Sequence, residues 1–245
     1  MPHGPDPTIE IARPVMSMGW EQLTFVHWAY EPEAVQRLLP PGVTVQCFED
    51  RAWISLVPFM MRVRFPLLGV VPWLNVFPET NVRTYVTAAD GTEGVWFFSL
   101  DAARLAPVAA ARAAYRLPYM WSSMSVDVTD TVAAYDCVRR FPGPRGARSG
   151  VTVRIGDRFS DEELTERDHF LSARWRLYSG MFGSVWSARA HHLRWELHRA
   201  TLERYDDELI TAAGLAAPSG DPIVQYSPGV QVSVSVPGRV RPARR

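Results

Sequence analysis

Glu79, Asn81 and Arg83 stand at alternate positions of the run Pro78-Glu79-Thr80-Asn81-Val82-Arg83. Alternate side chains of an extended strand share one face. A carboxyl, a carboxamide and a guanidinium would therefore be presented together. That set suits acid–base work on a carbonyl or carboxylate compound, with Glu79 as acid or base. Arg83 would anchor a carboxylate through charge-assisted hydrogen bonds, and Asn81 would offer a further polar contact. The plainer alternative is a structural ion pair on an outer face. Tyr119, which follows Pro118, would supply a phenolic proton donor, or else serve as a core or rim tyrosine. Arg112 would be an anion clamp or an exposed helix arginine. His27, beside Trp28, is the histidine best placed to line a pocket.

The chain has 26 arginines and no lysine. Whatever the protein does, no lysine side chain can form an imine with a carbonyl substrate. Metal chemistry finds no frame either. His191, His192 and His198 lie close in sequence, but no HExxH or Cys/His spacing occurs. Adjacent strand histidines also point to opposite faces. No G-x-S-x-G elbow, phosphate-binding glycine loop or dinucleotide fingerprint is found. The expectation is therefore no metal and no cofactor. Arg174-Trp175-Arg176 reads as a strand with the tryptophan inward and both arginines outward.

The elements that must position these residues are short and numerous. Twenty prolines in 245 residues favour short elements joined by rigid turns. EQLTFVHWAY (21–30) reads as a strand and EPEAVQRLLP (31–40) as a short helix stopped by Pro40-Pro41-Gly42. VTVQCF and AWISLVPFMMRV read as a hairpin across Glu49-Asp50-Arg51. NVRTYVTAADGTEGVWFFSL (81–100) is the clearest hairpin, its turn set by Asp90-Gly91. DAARLAPVAAARAAY (101–115) reads as a helical connection, and SSMSVDVTD, YDCVRRF and VTVRIGD as strands. SDEELTERDHFLSARW opens with Ser160 and, three residues on, Glu163, the pattern of a capping box. YDDELITAAGL reads as a short helix ending near Gly214, and VQVSVSV (230–236) as the final strand. About ten to twelve strands with three or four short helices call for a closed or nearly closed β structure.

Residues 1–16 read as a loosely attached tail, 17–238 as a single domain and 239–245 as a basic tail. Arginine and acid are equal in number, which argues against a nucleic-acid partner. The longest apolar stretch, 65–76, is broken by Pro66, Gly69 and Pro72 and falls short of a bilayer span. With no signal-peptide pattern at the start, a cytoplasmic location without membrane association is expected. Cys47 and Cys137 read as buried free thiols of a reducing compartment. The apolar segment 66–78 would be either a pocket lid or an interface of a homo-oligomer.

The runs HWAYEPEAVQRLLPPG, AWISLVPF, ETNVRTYV, GVWFFSLDAARL, ARAAYRLPY, FLSARWRLY, HHLRWEL and YSPGV, in this order over residues 19–236, resemble the YqjF-like family of uncharacterised conserved proteins. That family is similar in fold to acetoacetate decarboxylase. The resemblance implies a mostly β (β-rich α+β) fold, an antiparallel β-barrel or cone with a few short helices and a central pocket. Acetoacetate decarboxylases carry an arginine before a Phe-Pro-Lys-Lys type run, whose first lysine forms the imine and whose second tunes it. Arg112-Ala-Ala-Tyr-Arg-Leu-Pro118-Tyr119-Met120 has a similar frame. On that alignment Tyr119 takes the nucleophile's position and Met120 the tuning position, and Glu79 matches a pocket glutamate. The resemblance thus implies a small-molecule-binding protein, here without Schiff-base chemistry. If it is an enzyme, it would be a lyase, hydratase, isomerase or cyclase. The alternative is a non-catalytic ligand sensor or oligomeric scaffold.

Overall fold

The computed structural model describes residues 11, 16–64, 75–105, 117–181 and 184–241. Most of the apolar segment 66–78, the stretch carrying Arg112 and both chain ends lie outside the described residues. Among the described residues, fourteen strands and three short helices are arranged along the chain. They are β1 (Met16–Tyr30), α1 (Pro32–Gln36), β2 (Val43–Val45), β3 (Cys47–Phe48), β4 (Arg51–Arg64), β5 (Val76–Ala88) and β6 (Glu93–Ala102). Next come β7 (Tyr119–Val128), β8 (Val132–Phe141), β9 (Arg148–Arg158), α2 (Glu166–Ser172), β10 (Arg176–Met181) and β11 (Ser184–His192). The last are β12 (His198–Asp207), α3 (Leu209–Ala212), β13 (Ile223–Val234) and β14 (Gly238–Arg239).

These fourteen strands belong to one sheet that closes on itself twice. The larger ring runs β5-β6-β7-β8-β9-β12-β13-β1-β4 and back to β5. The smaller runs β6-β10-β11-β13-β1-β4-β5 and back to β6. The two rings share the wall β13-β1-β4-β5-β6, and each encloses its own apolar core. Along β4, Trp53, Val57, Phe59 and Met61 face the smaller ring, and Ile54 and Leu56 face the larger. A strand buried on both faces reads as a continuous apolar run, which is what AWISLVPFMM shows.

Alternation is reset once in β1. Met18 and Trp20 face the smaller ring, and so do Leu23 and Phe25. Gln22, with φ 53°, is an extra residue in the pairing with β4, whose register shifts between Glu21 and Val26. Such a bulge moves later side chains to the opposite phase. Opposite Glu21 stands Gly229, with φ 128°, where a Cβ would lie 2.2 Å from the Trp20 carbonyl oxygen. Only glycine fits that approach.

Not every pairing is antiparallel: β6 pairs in parallel with both β7 and β10. Parallel neighbours need a long crossover, and the connection from Ala103 to Pro118 supplies it between β6 and β7. The Asp90-Gly91 hairpin joins β5 to β6 as the residue pattern predicts. β4 pairs with β3 across the 49–50 turn, whereas β2 pairs with β5. Residues 230–234 of VQVSVSV form the end of β13, and the strand expected to be last is followed by β14. The helix expected from Ser160 begins instead after Thr165, which forms the capping box with Asp168. Ser160 and Glu163 close only a turn, Glu163 accepting from the Ser160 amide at 2.8 Å. The other Asp168 oxygen, Oδ1, accepts from Gln225 Nε2 at 2.7 Å, so a buried contact to β13 anchors where α2 starts. Cys137 is buried, but Cys47 is exposed at the edge of the short β3.

In the larger ring Arg139 and Asp101 form a fully buried bidentate pair, Nε to Oδ1 at 2.8 Å and Nη2 to Oδ2 at 2.6 Å. Ser122 donates to Asp101 Oδ1 at 2.7 Å, and Arg139 donates to Ser99 Oγ at 3.1 Å. Both charges are thus hydrogen-bonded as well as paired, the condition for burying them.

Candidate functional site

The smaller ring is not filled. A cavity of about 620 Å³, counted out to its mouth, is lined mostly by apolar side chains, among them Trp20, Phe59, Met61, Phe97 and Leu177. Among the described residues its polar lining consists of Glu79, Asn81, Arg83 and Tyr119. Three come from one face of β5, whose alternation carries them inward together. The fourth opens β7, held beside Leu100 by the parallel pairing with β6.

Glu79 is 2% exposed. Tyr119 Oη donates to its Oε2 at 2.9 Å. Burial dominates the carboxyl's titration and pushes its pKa up to about 8, against the Tyr119 hydrogen bond, which lowers it. Asp101, across the wall, adds a small rise. Burial and the neighbouring Glu79 hold the Tyr119 phenol well above its ordinary value. In neutral solution the pair is therefore a carboxylic acid beside a phenol, two neutral proton donors.

Arg83 is 7% exposed. Its guanidinium carbon lies 5.4 Å from the centre of the Phe25 ring, and its Nε has no hydrogen-bond partner among the described residues. No carboxylate pairs with it among those residues. Burial lowers its pKa, with the Tyr85 hydroxyl acting in the opposite sense, yet an arginine remains a cation at neutral pH. Its charge is felt by its neighbours, lowering the pKa of His27, Arg174 and His192. Asn81 Oδ1 is likewise buried and unpartnered among the described residues.

His27 is not among the lining residues. It sits behind them, stacked on Phe25 with ring centroids 5.9 Å apart. Its Nδ1 lies 2.7 Å from Ser55 Oγ, and Ser55 Oγ lies 2.8 Å from Tyr85 Oη. Tyr85 donates its proton to the Leu171 carbonyl at 2.7 Å. With that proton committed, Ser55 donates to Tyr85 and His27 Nδ1 donates to Ser55. This arrangement gives every contact a proton and leaves His27 Nε2 as a bare, buried acceptor. Burial first, then Arg83, depress the His27 pKa well below its usual value, so the ring is neutral.

Arg174 overturns its sequence reading. It is 6% exposed, with its guanidinium 5.0 Å from the Tyr85 ring centre and 4.5 Å from that of Phe170. Its Nε and Nη2 are buried without hydrogen-bond partners among the described residues. Burial lowers its pKa to about 10. It lies between α2 and β10, where the chain is not yet paired in β10, so strand alternation does not govern it. Cation–π contact with two rings takes the place of hydration. Arg83 lowers the Arg174 pKa and Glu93 raises it, so two buried guanidiniums share this region with a nearby acid.

Met120 follows Tyr119 on β7 and points away from the cavity, as strand alternation requires. His191 and His192 also alternate, His192 buried and His191 partly exposed. His192 packs, with its ring tilted, against Trp20, Trp175 and Trp195 at centroid distances of 6.1, 6.2 and 5.1 Å. Nothing in the residue pattern singled out Tyr85 or Ser55, because strand position alone does not tell a buried polar group from an exposed one.

Comparison with known proteins agrees with the fold. The model of the DUF2071 family, described as an uncharacterized conserved protein, matches residues 17–231. The uncharacterized protein YqjF of Bacillus subtilis (strain 168) is 32% identical over 214 residues, 87% of each chain. Among solved structures, the enduracididine biosynthesis enzyme MppR complexed with pyruvate superposes with a TM-score of 0.66 at 12% identity, covering 96% of this chain and 94% of its own. The acetoacetate decarboxylase of Legionella pneumophila superposes with a TM-score of 0.62 at 14% identity, covering 97% and 92%. At such identities the likeness is one of fold, which is acetoacetate decarboxylase-like. No helix among the described residues is long and apolar enough to cross a membrane.

Proposed function

Since the chain belongs to the DUF2071 family of uncharacterized conserved proteins, we propose its function from the cavity itself: it binds a small anionic carbonyl or carboxylate compound and acts on it by proton transfer, without a covalent imine. The observation that carries this reading is the Arg83 guanidinium, without a carboxylate partner among the described residues, lining the same apolar cavity as the Glu79–Tyr119 pair. A buried cation without a counter-ion is costly, and a ligand carboxylate would complete it with two parallel hydrogen bonds. Asn81 would meet a further polar atom of the ligand.

The Tyr119 phenol, exchanging its bond to Glu79 for one to the ligand, would hydrogen-bond a carbonyl oxygen and polarise it, the role of an electrophilic clamp. Glu79 in its ionised form, reached as the pH approaches 8, would take a proton from the carbon beside that carbonyl and return it to the product, which is the chemistry of an isomerase, hydratase, cyclase or non-imine lyase. MppR, of similar fold, is seen with pyruvate. The absence of lysine excludes the lysine imine here.

The test is titration with a panel of small oxo acids, followed by tryptophan fluorescence, since Trp20 lines the cavity. Arg83→Ala is expected to lose carboxylate binding, and Glu79→Gln to alter binding of oxo acids more than of plain acids. Unchanged affinity in both variants would remove these roles. Binding without turnover of any of the acids would make the cavity that of a ligand sensor.

A further inference from the structure

The polar groups of the cavity do not converge on one point. Glu79 and Arg83 are four residues apart on β5, which separates their Cα atoms by about 13 Å at the rise of an extended strand. Their side chains then turn in opposite directions across the shared wall. Glu79 meets Tyr119, which opens β7, two strands away on the β6 side. Arg83 places its guanidinium against Phe25 of β1, two strands away on the β4 side. The strand register agrees: Glu79 is level with Phe59, whereas Arg83 is level with Ser55. No ion pair joins Glu79 to Arg83 among the described residues. Between them lies Asn81, level with Val57, its Oδ1 buried and unpartnered among those residues. The flanks there are apolar, formed by Val57, Phe97 and Leu100.

From this layout we infer that the ligand is elongated and two-ended, with an anionic carboxylate at Arg83 and a carbonyl or hydroxyl oxygen at the Glu79–Tyr119 end. This rests on the functional reading above and narrows it. An oxo acid as short as acetoacetate has its two groups too close together to reach both ends. The ligand carries an aliphatic chain along β5, with room for one polar atom opposite Asn81. A second charge in that middle stretch has no counter-ion, so dicarboxylates with a central charge and phosphorylated chains are disfavoured.

The test uses two series of probes with the full-length protein. One is acetoacetate and its homologues lengthened one methylene at a time between ketone and carboxylate. The other is the matching carboxylates that lack the ketone. Added methylenes raise affinity in both series, roughly fourfold each, so the readout is the ratio of oxo acid to plain acid affinity. That ratio is expected near one for the shortest pair. It should rise about tenfold at the length that spans the site, fall again beyond it, and shrink in Tyr119→Phe. A ratio independent of length, with binding still sensitive to Arg83→Gln, overturns the two-ended ligand and leaves the functional reading standing. If no acid of either series binds the wild-type protein, both fall. The wild-type series decides the question even if Arg83→Gln does not fold.

Discussion

Tyr119 Oη donates to Glu79 Oε2 at 2.9 Å across 40 residues of sequence, where both groups are buried on the wall of the cavity. Ionising Glu79 there means leaving a carboxylate with one donor and apolar walls. Its pKa of about 8, against an ordinary 4.5, has a direct consequence for stability. Between those values the folded protein keeps a proton that the unfolded chain has released. Stability from this group is therefore complete below about pH 4.5 and lost as pH rises toward 8, at about 1.4 kcal/mol per pH unit. Glu79→Gln cannot ionise. Urea unfolding of both proteins at pH 5 and pH 8 should show the variant gaining a few kcal/mol on wild type at the higher pH. Equal differences at the two pH values would mean that Glu79 titrates normally.

His27 and His192 act in the opposite sense. Burial lowers both pKa values below 6.5, so the unfolded chain takes up protons that the folded protein refuses. Their contribution is present above pH 6.5 and lost as pH falls below it. His27→Gln should flatten the acid limb by about one proton's worth of slope, measured by unfolding between pH 5 and 6.5. An unchanged limb would show that His27 is not buried as a neutral ring.

The Arg139–Asp101 pair is a matter of fold rather than site. Arg139→Met strands a carboxylate in the larger ring's core and should cost about 3–5 kcal/mol. Asp101→Asn combined with Arg139→Met removes the stranded charge and should recover part of that loss. Guanidinium unfolding midpoints of wild type, Arg139→Met, Asp101→Asn and the double variant measure it, and additive losses would contradict a coupled pair.

The two cysteines should separate by reactivity. Cys47 is exposed, with burial and the nearby Asp50 and Glu33 raising its thiol pKa, so it should react with a thiol reagent in the native state, more slowly than a free thiol. Cys137 is buried, and its pKa lies far above the usual thiol range. It should react only on unfolding. Two fast equivalents in native protein would show that β8 opens.

Gly229→Ala tests the bulge that shapes the cavity wall. A Cβ there meets the Trp20 carbonyl, so β1 must shift and move Trp20 within the cavity. The expected result is a marked loss of stability together with a changed tryptophan emission. A variant as stable as wild type would show that the strand pair has slack.

What the sequence determined by itself was local. Alternation along 79–83 put a carboxyl, a carboxamide and a guanidinium on one face. Asp90-Gly91 set the hairpin, the apolar run AWISLVPFMMRV marked a strand, and the lack of lysine excluded one chemistry outright. These features rest on backbone geometry and side-chain type, which need no distant partner. What only the tertiary structure decided was which face became an interior and what came to meet it. Tyr119 reaches Glu79 because β7 pairs in parallel with β6. Phe25 and His27 lie beside Arg83 because the bulge at Gln22 resets the phase of β1. Arg174 is buried because Tyr85 and Phe170 cover it. Each depends on strands far apart in the chain closing into rings, and ring closure is a property of the whole sheet that no short window of residues carries.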